Sequence, residues 1–178
     1  MKIEHCSGVY EPEDDSYLMM GIEEIRGRVL EIGCGTGIVG LSYADAGAKV
    51  TMVDSSEKAT LCARLNALRN GISVNVVRTD LFEGIRGRFD YCIFNPPYLP
   101  TGSPDDHSWT GGKAGNEITI RFLSGFNKFS KYAFYIESTL SPINRNMFSG
   151  LKFEVVRKID YEFEGLSLVK VTSSALYR

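Results

Sequence analysis

The sequence predicts an α/β domain built around a parallel sheet, and three observations predict it. Short apolar runs at 29–32, 48–54, 73–80 and 89–94 read as strands, with helical patterns between them. The first run breaks into the alternating glycines Gly33, Gly35 and Gly37 just before a helix opens, the way many ligand-binding α/β units begin. Polar residues stand where these strands end, at Glu31, Asp54, Asp80 and Asn95, and ligands of open α/β sheets bind at the carboxyl ends of the strands.

Residues 1–178 suit one well-buried domain and are too few for two ordinary ones. The chain is 43% hydrophobic and 24% charged, with a net charge of −2. Its pI of about 5.8 argues against direct nucleic-acid binding, which usually needs a basic field. No run reaches the roughly 20 apolar residues of a membrane helix. The amino-terminal residues Met1–His5 lack a signal-peptide core. Cys6, Cys34, Cys62 and Cys92 show no C-x-x-C spacing, so reduced thiols and a cytoplasmic location are expected rather than disulfides or zinc.

After an irregular lead-in at 7–12, a helix is expected from Glu13 to Gly27. Tyr17, Leu18, Ile22 and Ile25 recur at helical spacing, and Glu13, Asp14 and Asp15 suit the positive end of the dipole. The strand at 29–32 then leads into the glycine loop. Glycines at 33, 35 and 37 permit positive φ and close approach of a ligand to the backbone, and the helix behind them offers free N–H groups. A tight structural turn is the plainer alternative. Glu31 favours a ligand carrying an ammonium or sulfonium over one carrying a pyrophosphate.

Asp54 ends the second strand roughly 20 residues beyond Gly33, the usual distance for an acid that holds ribose hydroxyls. It is also placed to cap the next helix, which Ser55 and Ser56 begin. That helix carries Ala59, Leu61, Cys62, Leu65 and Leu68 and stops at Gly71. Asp80, at the end of the third strand, is placed either for an adenine amino group, with Leu81 against the ring, or as an ordinary turn residue.

The fourth strand runs into Asn95-Pro96-Pro97-Tyr98. Neither proline can donate to a sheet ladder, and each holds the residue before it extended. The unit therefore presents a fixed amide, fixed carbonyls and a flat ring, suited to gripping a planar group that carries an NH2. Residues 99–115 read as a substrate-side lid containing Trp109, Gly111, Gly112 and Gly115. Asp105, Asp106 and His107 are adjacent in sequence and would chelate one ion poorly, so no metal is expected. Asn116 and Glu117 open a helix bearing Ile120, Leu123 and Phe126, with Arg121 either anchoring the lid or lying on the surface. A fifth strand at 132–136, a short helix at 141–150 and an antiparallel pair at 152–159 and 166–172 complete the chain.

Together the Glu-x-Gly-x-Gly-x-Gly loop, Asp54, Asp80 and Asn-Pro-Pro-Tyr resemble a class I S-adenosylmethionine-dependent methyltransferase. The resemblance implies a Rossmann-like, mostly parallel seven-stranded sheet with an antiparallel last strand and helices on both faces. Two further tracts narrow it: Tyr10-Glu11-Pro12 with Asp15-Ser16, and Trp109-x-Gly111-Gly112 with Gly115, Glu117 and Arg121. These resemble the HemK family of protein glutamine N5-methyltransferases, in its short archaeal and eukaryotic branch. Leu99 to Ser108 departs from that pattern.

The resemblance implies S-adenosyl-L-methionine as cofactor, held by Ser16, Glu31, Gly33, Gly35, Asp54, Asp80, Leu81 and Asn95. It implies a target glutamine amide gripped by Asn95 and the adjoining proline carbonyl of Pro96-Pro97, with Tyr98 on its plane. It further implies a class I release factor as protein substrate. The third strand, Val74–Val77, would be a sheet edge, and a small zinc-binding Trm112-like activator is expected to cover it. A nucleic-acid N-methyltransferase acting on adenine or guanine uses the same clamp logic. Against it stand the acidic pI and the absence of a basic cluster beside the motif. A non-catalytic subunit is disfavoured because every cofactor position is filled, and a lysine methyltransferase because a planar clamp fits an ammonium poorly.

Overall fold

The computed structural model describes residues 1–100 and 111–174. Trp109 and the Asp105-Asp106-His107 run therefore lie outside the described residues. Strands β1 (Arg28–Ile32), β2 (Lys49–Asp54), β3 (Asn75–Arg78), β4 (Tyr91–Phe94) and β5 (Tyr132–Ser138) pair in parallel. β6 (Leu151–Asp160) and β7 (Gly165–Ser173) form an antiparallel hairpin, with β7 inserted beside β5. The seven-stranded order is β3-β2-β1-β4-β5-β7-β6. The expected Rossmann-like topology is borne out, including β3 at one edge.

Strand order reverses between β1 and β4, and such a switch point opens a crevice at the strand ends. Successive residues of β1 point to opposite faces, and each face has its own core. Val29 joins Met19, Leu41, Met52, Ile93 and Phe134 under helices α1 (Asp14–Met19), α2 (Ile38–Asp45) and α3 (Glu57–Asn70). Leu30 and Ile32 join Phe94, Phe122, Phe126 and Tyr135 under α4 (Glu117–Leu123). Burying one such side chain contributes about 1.5–3 kcal/mol, so the two-sided cover fixes the strand register that aims Glu31 and Asn95. Among the described residues no helix is long and apolar enough to cross a membrane.

The structure departs from the sequence reading in several places. The first helix stops at Met19 instead of Gly27. Arg157, a residue remote in sequence, donates to the carbonyls of Leu18, Met20 and Gly21, at 2.6–3.2 Å. The chain can thus leave the helix with those carbonyls satisfied, while Ile22 and Ile25 stay buried. The helix expected at 141–150 is only a 3-10 turn, Arg145–Met147.

The cysteine expectation is corrected in part. Cys34 and Cys92 are free and buried, but Cys6 and Cys62 form a disulfide across a sequence separation of 56. Spacing along the chain could not show this, because the pairing depends on the amino-terminal segment folding back along α3. That segment is held there by Asn66, fully buried, which accepts from Glu4 N–H at 2.7 Å and donates to Glu4 O. On α3 itself Ala59 and Cys62 are buried, yet Leu61, Leu65 and Leu68 are exposed.

Candidate active site

A cleft of about 320 Å³ opens at the carboxyl ends of β1, β2 and β4. Every site residue expected from the sequence lines it: Ser16, Glu31, Gly33, Gly35, Asp54, Asp80, Leu81, Asn95, Pro96, Pro97 and Tyr98.

The glycine loop is built for close approach. Gly33 has φ +63°, and a Cβ there would lie 3.0 Å from the Phe94 ring. Gly37 has φ +83°, caps α2, and leaves only 3.1 Å between an added Cβ and Ala63. Gly35 N–H donates to Asp54 Oδ2 at 3.0 Å, and Asp54 Oδ1 accepts from Ser56 N–H at 2.8 Å. Asp54 thus tightens the loop, and it does not cap α3 itself, because Ser56 is the N-cap and accepts from Ala59 N–H. Burial raises the Asp54 carboxyl, and the backbone donors at Gly35, Ser55 and Ser56 partly offset this.

Glu31 is 4% exposed, and its Oε2 has no hydrogen-bond partner. Burial, and after it the Asp54 charge, pushes its carboxyl up to about 8, with the Gly40 backbone acting the other way. Room for the carboxylate exists only because residue 40 is glycine, where a Cβ would fall 2.2 Å from Oε2. A buried carboxyl with one unpartnered oxygen, beside a loop of positive-φ glycines and a strand-end acid, fits the cationic end of S-adenosylmethionine. Asp80 is engaged with Arg121, Nη2 to Oδ2 at 2.8 Å, with both side chains half exposed. Arg121 is thus exposed at the surface and paired with Asp80, and residues 101–110 of the expected lid lie outside the described residues. Leu81 holds φ 47°, the positive-φ non-glycine position among the described residues.

Asn95 follows β4 directly. Its Nδ2 lies 3.5 Å from Ser16 Oγ, and its Oδ1 is buried without a partner. Tyr98 is fixed by its hydroxyl, which donates to Asp15 Oδ2 at 3.1 Å. Tyr10 donates to the same oxygen at 2.8 Å. Burial, with Asp15 next, raises both phenols far above their ordinary value, so they remain donors. From behind, the Gly111–Gly115 turn supports the prolines: a Cβ on Gly111 would lie 2.4 Å from Pro97 O, and one on Gly115 would lie 2.6 Å from Tyr98 O. Glu117 holds that turn by accepting from Ala114 N–H at 3.0 Å and Asn116 N–H at 3.1 Å, and the Ala114 bond leads in lowering its carboxyl.

Sequence reasoning left Asp15 and Tyr10 without a role at this site. The signal was present, since both fall in the Tyr-Glu-Pro and Asp-Ser tract, but only the fold brings them to Tyr98.

Comparison with known proteins agrees with this geometry. The model of the methyltransferase small domain family matches residues 15–107. A Methanocaldococcus jannaschii protein named as a protein N5-glutamine methyltransferase is 34% identical, over 90% of this chain and 90% of its own. Human methyltransferase HEMK2 is 30% identical over 66% of this chain, which spans 64% of that protein. Among solved structures, Mtq2 of E. cuniculi, in a complex with Trm112 described as methylating the eRF1 termination factor, superposes with a TM-score of 0.73. It is 25% identical and is matched over 93% of this chain and 99% of its own.

Proposed function

We propose, from the premise that this chain belongs to the HemK-type protein N5-glutamine methyltransferases of the methyltransferase small domain family, that it methylates the Gly-Gly-Gln glutamine of a class I release factor. The observation that carries the reading is Asn95 Oδ1, a buried acceptor with no partner at the end of β4. A buried unpaired acceptor is costly, on the order of 1–3 kcal/mol. A primary amide N–H entering the cleft satisfies it.

Glu31, Gly33, Gly35, Asp54, Asp80 and Leu81, with Ser16, are the proposed cofactor contacts. S-adenosylmethionine, when bound, supplies an activated methyl group on a sulfonium. What this chain adds is orientation. Asn95 Oδ1 and the proline carbonyl beside it accept hydrogen bonds from the two N–H groups of the target, which fixes the nitrogen with its lone pair normal to the amide plane. One of these N–H groups, made acidic as methyl transfer proceeds, gives its proton to solvent. Tyr98, pinned by Asp15, lies along the amide plane. Fixed geometry and pre-aimed acceptors are worth several orders of magnitude in rate without a general base.

The proposed partner is a small zinc-binding activator like Trm112, on the β3 edge. Support comes from the Mtq2 complex and from this chain's own surface, where Leu61, Leu65 and Leu68 on α3 and Val77 on β3 are exposed. Arg64 of α3 donates to Val76 O at 2.8 Å, so helix and edge strand form one continuous face. The cytoplasm is the proposed location because release factors act there, and not on the ground of reduced thiols, since Cys6 and Cys62 pair.

The test is to incubate the chain, with and without the activator, with labelled S-adenosylmethionine and a release factor, alongside its Gly-Gly-Gln→Gly-Gly-Ala variant. Label on the first and none on the second is expected. Label that persists in the variant, or appears only on nucleic acid, overturns the glutamine reading. Asn95→Ala is expected to abolish transfer while cofactor affinity stays within several-fold, and a fully active variant refutes the clamp.

A further inference from the structure

Asn95 can accept a hydrogen bond from the target only if its side-chain amide is turned with oxygen toward the cleft, and we propose that Asp15 is the positioning residue that sets this orientation, acting through Ser16. The proposal rests on the reading of Asn95 given above. Asp15 is 3% exposed, and an ionised carboxylate only accepts hydrogen bonds. Its Oδ2 receives the hydroxyls of Tyr10 and Tyr98, at 2.8 and 3.1 Å. Its Oδ1 receives the Ser16 backbone N–H and, at 3.1 Å, the Ser16 hydroxyl.

Ser16 has a single hydroxyl proton, and Asp15 holds it. The Ser16 oxygen therefore shows Asn95 only lone pairs. Asn95 Nδ2 sits 3.5 Å from that oxygen and supplies the matching donor. Across the amide, Oδ1 is then left facing the cleft, where it is found without a partner. The opposite orientation would set Oδ1 against the Ser16 lone pairs, with the one proton able to relieve the repulsion committed to Asp15. The same carboxylate anchors the Tyr98 ring, so one buried group orders both walls of the clamp. No proton is transferred, and the device is a fixed direction of hydrogen bonds.

Asp15→Asn separates this role from simple packing. An asparagine at 15 with its oxygen on the tyrosines turns its NH2 to Ser16, where it donates to Ser16 Oγ and leaves the Ser16 backbone N–H without its acceptor. The Ser16 proton is then free for Asn95 Oδ1, and the Asn95 NH2 turns into the cleft against the target NH2. Turnover is expected to fall about 100-fold, the scale for losing one pre-aimed polar group, with the cofactor Kd within threefold.

In an Asn95→Asp background both oxygens accept whichever way the group turns. There Asp15→Asn gives Ser16 a proton to donate to residue 95, so turnover is expected to stay level or rise. Equal loss in both backgrounds would show a merely structural role and overturn the proposal. Neutron diffraction from the deuterium-exchanged chain reads the orientation directly, whether or not the variants fold and whatever the substrate proves to be. Deuterons on Asn95 Nδ2 facing Ser16, with the Ser16 deuteron on Oγ and directed at Asp15 Oδ1, are expected, and the reversed pattern refutes the arrangement. Failure of the glutamine reading shows separately, as an unsubstituted chain inactive on a Gly-Gly-Gln substrate.

Discussion

Replacing Glu31 by Gln should shift the stability of the cofactor-free chain in the variant's favour by an amount that grows with pH. Burial leads in lifting the folded carboxyl from 4.5 to about 8. Between those values the unfolded chain has released the proton and the folded chain retains it. The sign follows: the stability linked to this proton is complete below 4.5 and is lost as pH rises through about 8. At about 1.36 kcal/mol per unit, the loss between pH 5 and pH 8 is on the order of 3 kcal/mol, an upper bound because a real site relaxes and admits water. Gln cannot ionise, so it escapes that loss. It carries only a pH-independent penalty of about 1–3 kcal/mol for an amide in the same tight place. Urea denaturation of both proteins at pH 5, 6, 7 and 8 isolates the slope from the offset. The Gln variant should gain on its parent with each unit of pH. A constant difference would refute the idea that Glu31 is buried and protonated in the free chain. Cofactor binding supplies a second reading. A cationic ligand beside Glu31 favours its ionised form, so binding at pH 6 should release a proton from the parent and not from the variant. Calorimetry in two buffers of different ionisation heat measures it.

Other substitutions address neighbouring parts of the site. Asp54→Ala removes an acceptor of Gly35 N–H and Ser56 N–H and should weaken S-adenosylmethionine about 10–100-fold in calorimetry, consistent with the loss of charged hydrogen bonds of about 1.5–3 kcal/mol. Gly111→Ala places a Cβ 2.0 Å from Gly115 O and 2.4 Å from Pro97 O, and the overpacking of about 1–3 kcal/mol should lower Tm and turnover together. Cys6→Ser opens a loop of 56 residues and should lose about 4 kcal/mol of stability by the chain-entropy argument. That loss should be seen in denaturation under oxidising conditions and vanish in excess thiol.

What was legible in the sequence was local. Glycines at fixed spacing announce a loop because only glycine adopts φ values such as +63° and +83° without strain. Alternating apolar runs announce strands, and two prolines announce a strand end. From these came the sheet, its edge at β3 and the cleft residues. The readings that missed depend on partners remote in the chain. Periodicity carried α1 to Gly27, but three carbonyls reaching for Arg157 end it at Met19. Leu61, Leu65 and Leu68 follow helical spacing and yet face outward, because spacing defines a stripe without saying what covers it. The Cys6–Cys62 pair is set by Asn66 gripping Glu4, a contact no spacing rule reports.

The clamp shows the same division within a single residue. Asn-Pro-Pro-Tyr names an amide and places it at a strand end, but an amide has a donor side and an acceptor side, and a motif cannot say which one meets the substrate. The answer lies in α1, where an acceptor-only carboxylate at Asp15 commits the Ser16 proton and leaves Asn95 to donate toward Ser16 and accept toward the cleft. That polarity is chemically selective. A primary amide, like an amino group on a base, brings N–H donors in a plane that Asn95 Oδ1 can meet, whereas a planar pair of acceptors suits a tetrahedral ammonium poorly. On the proposed reading of Asn95, that orientation suits a planar nitrogen target. The choice of a glutamine within that class rests on the family to which the chain belongs, and substrate labelling is the measurement that decides it.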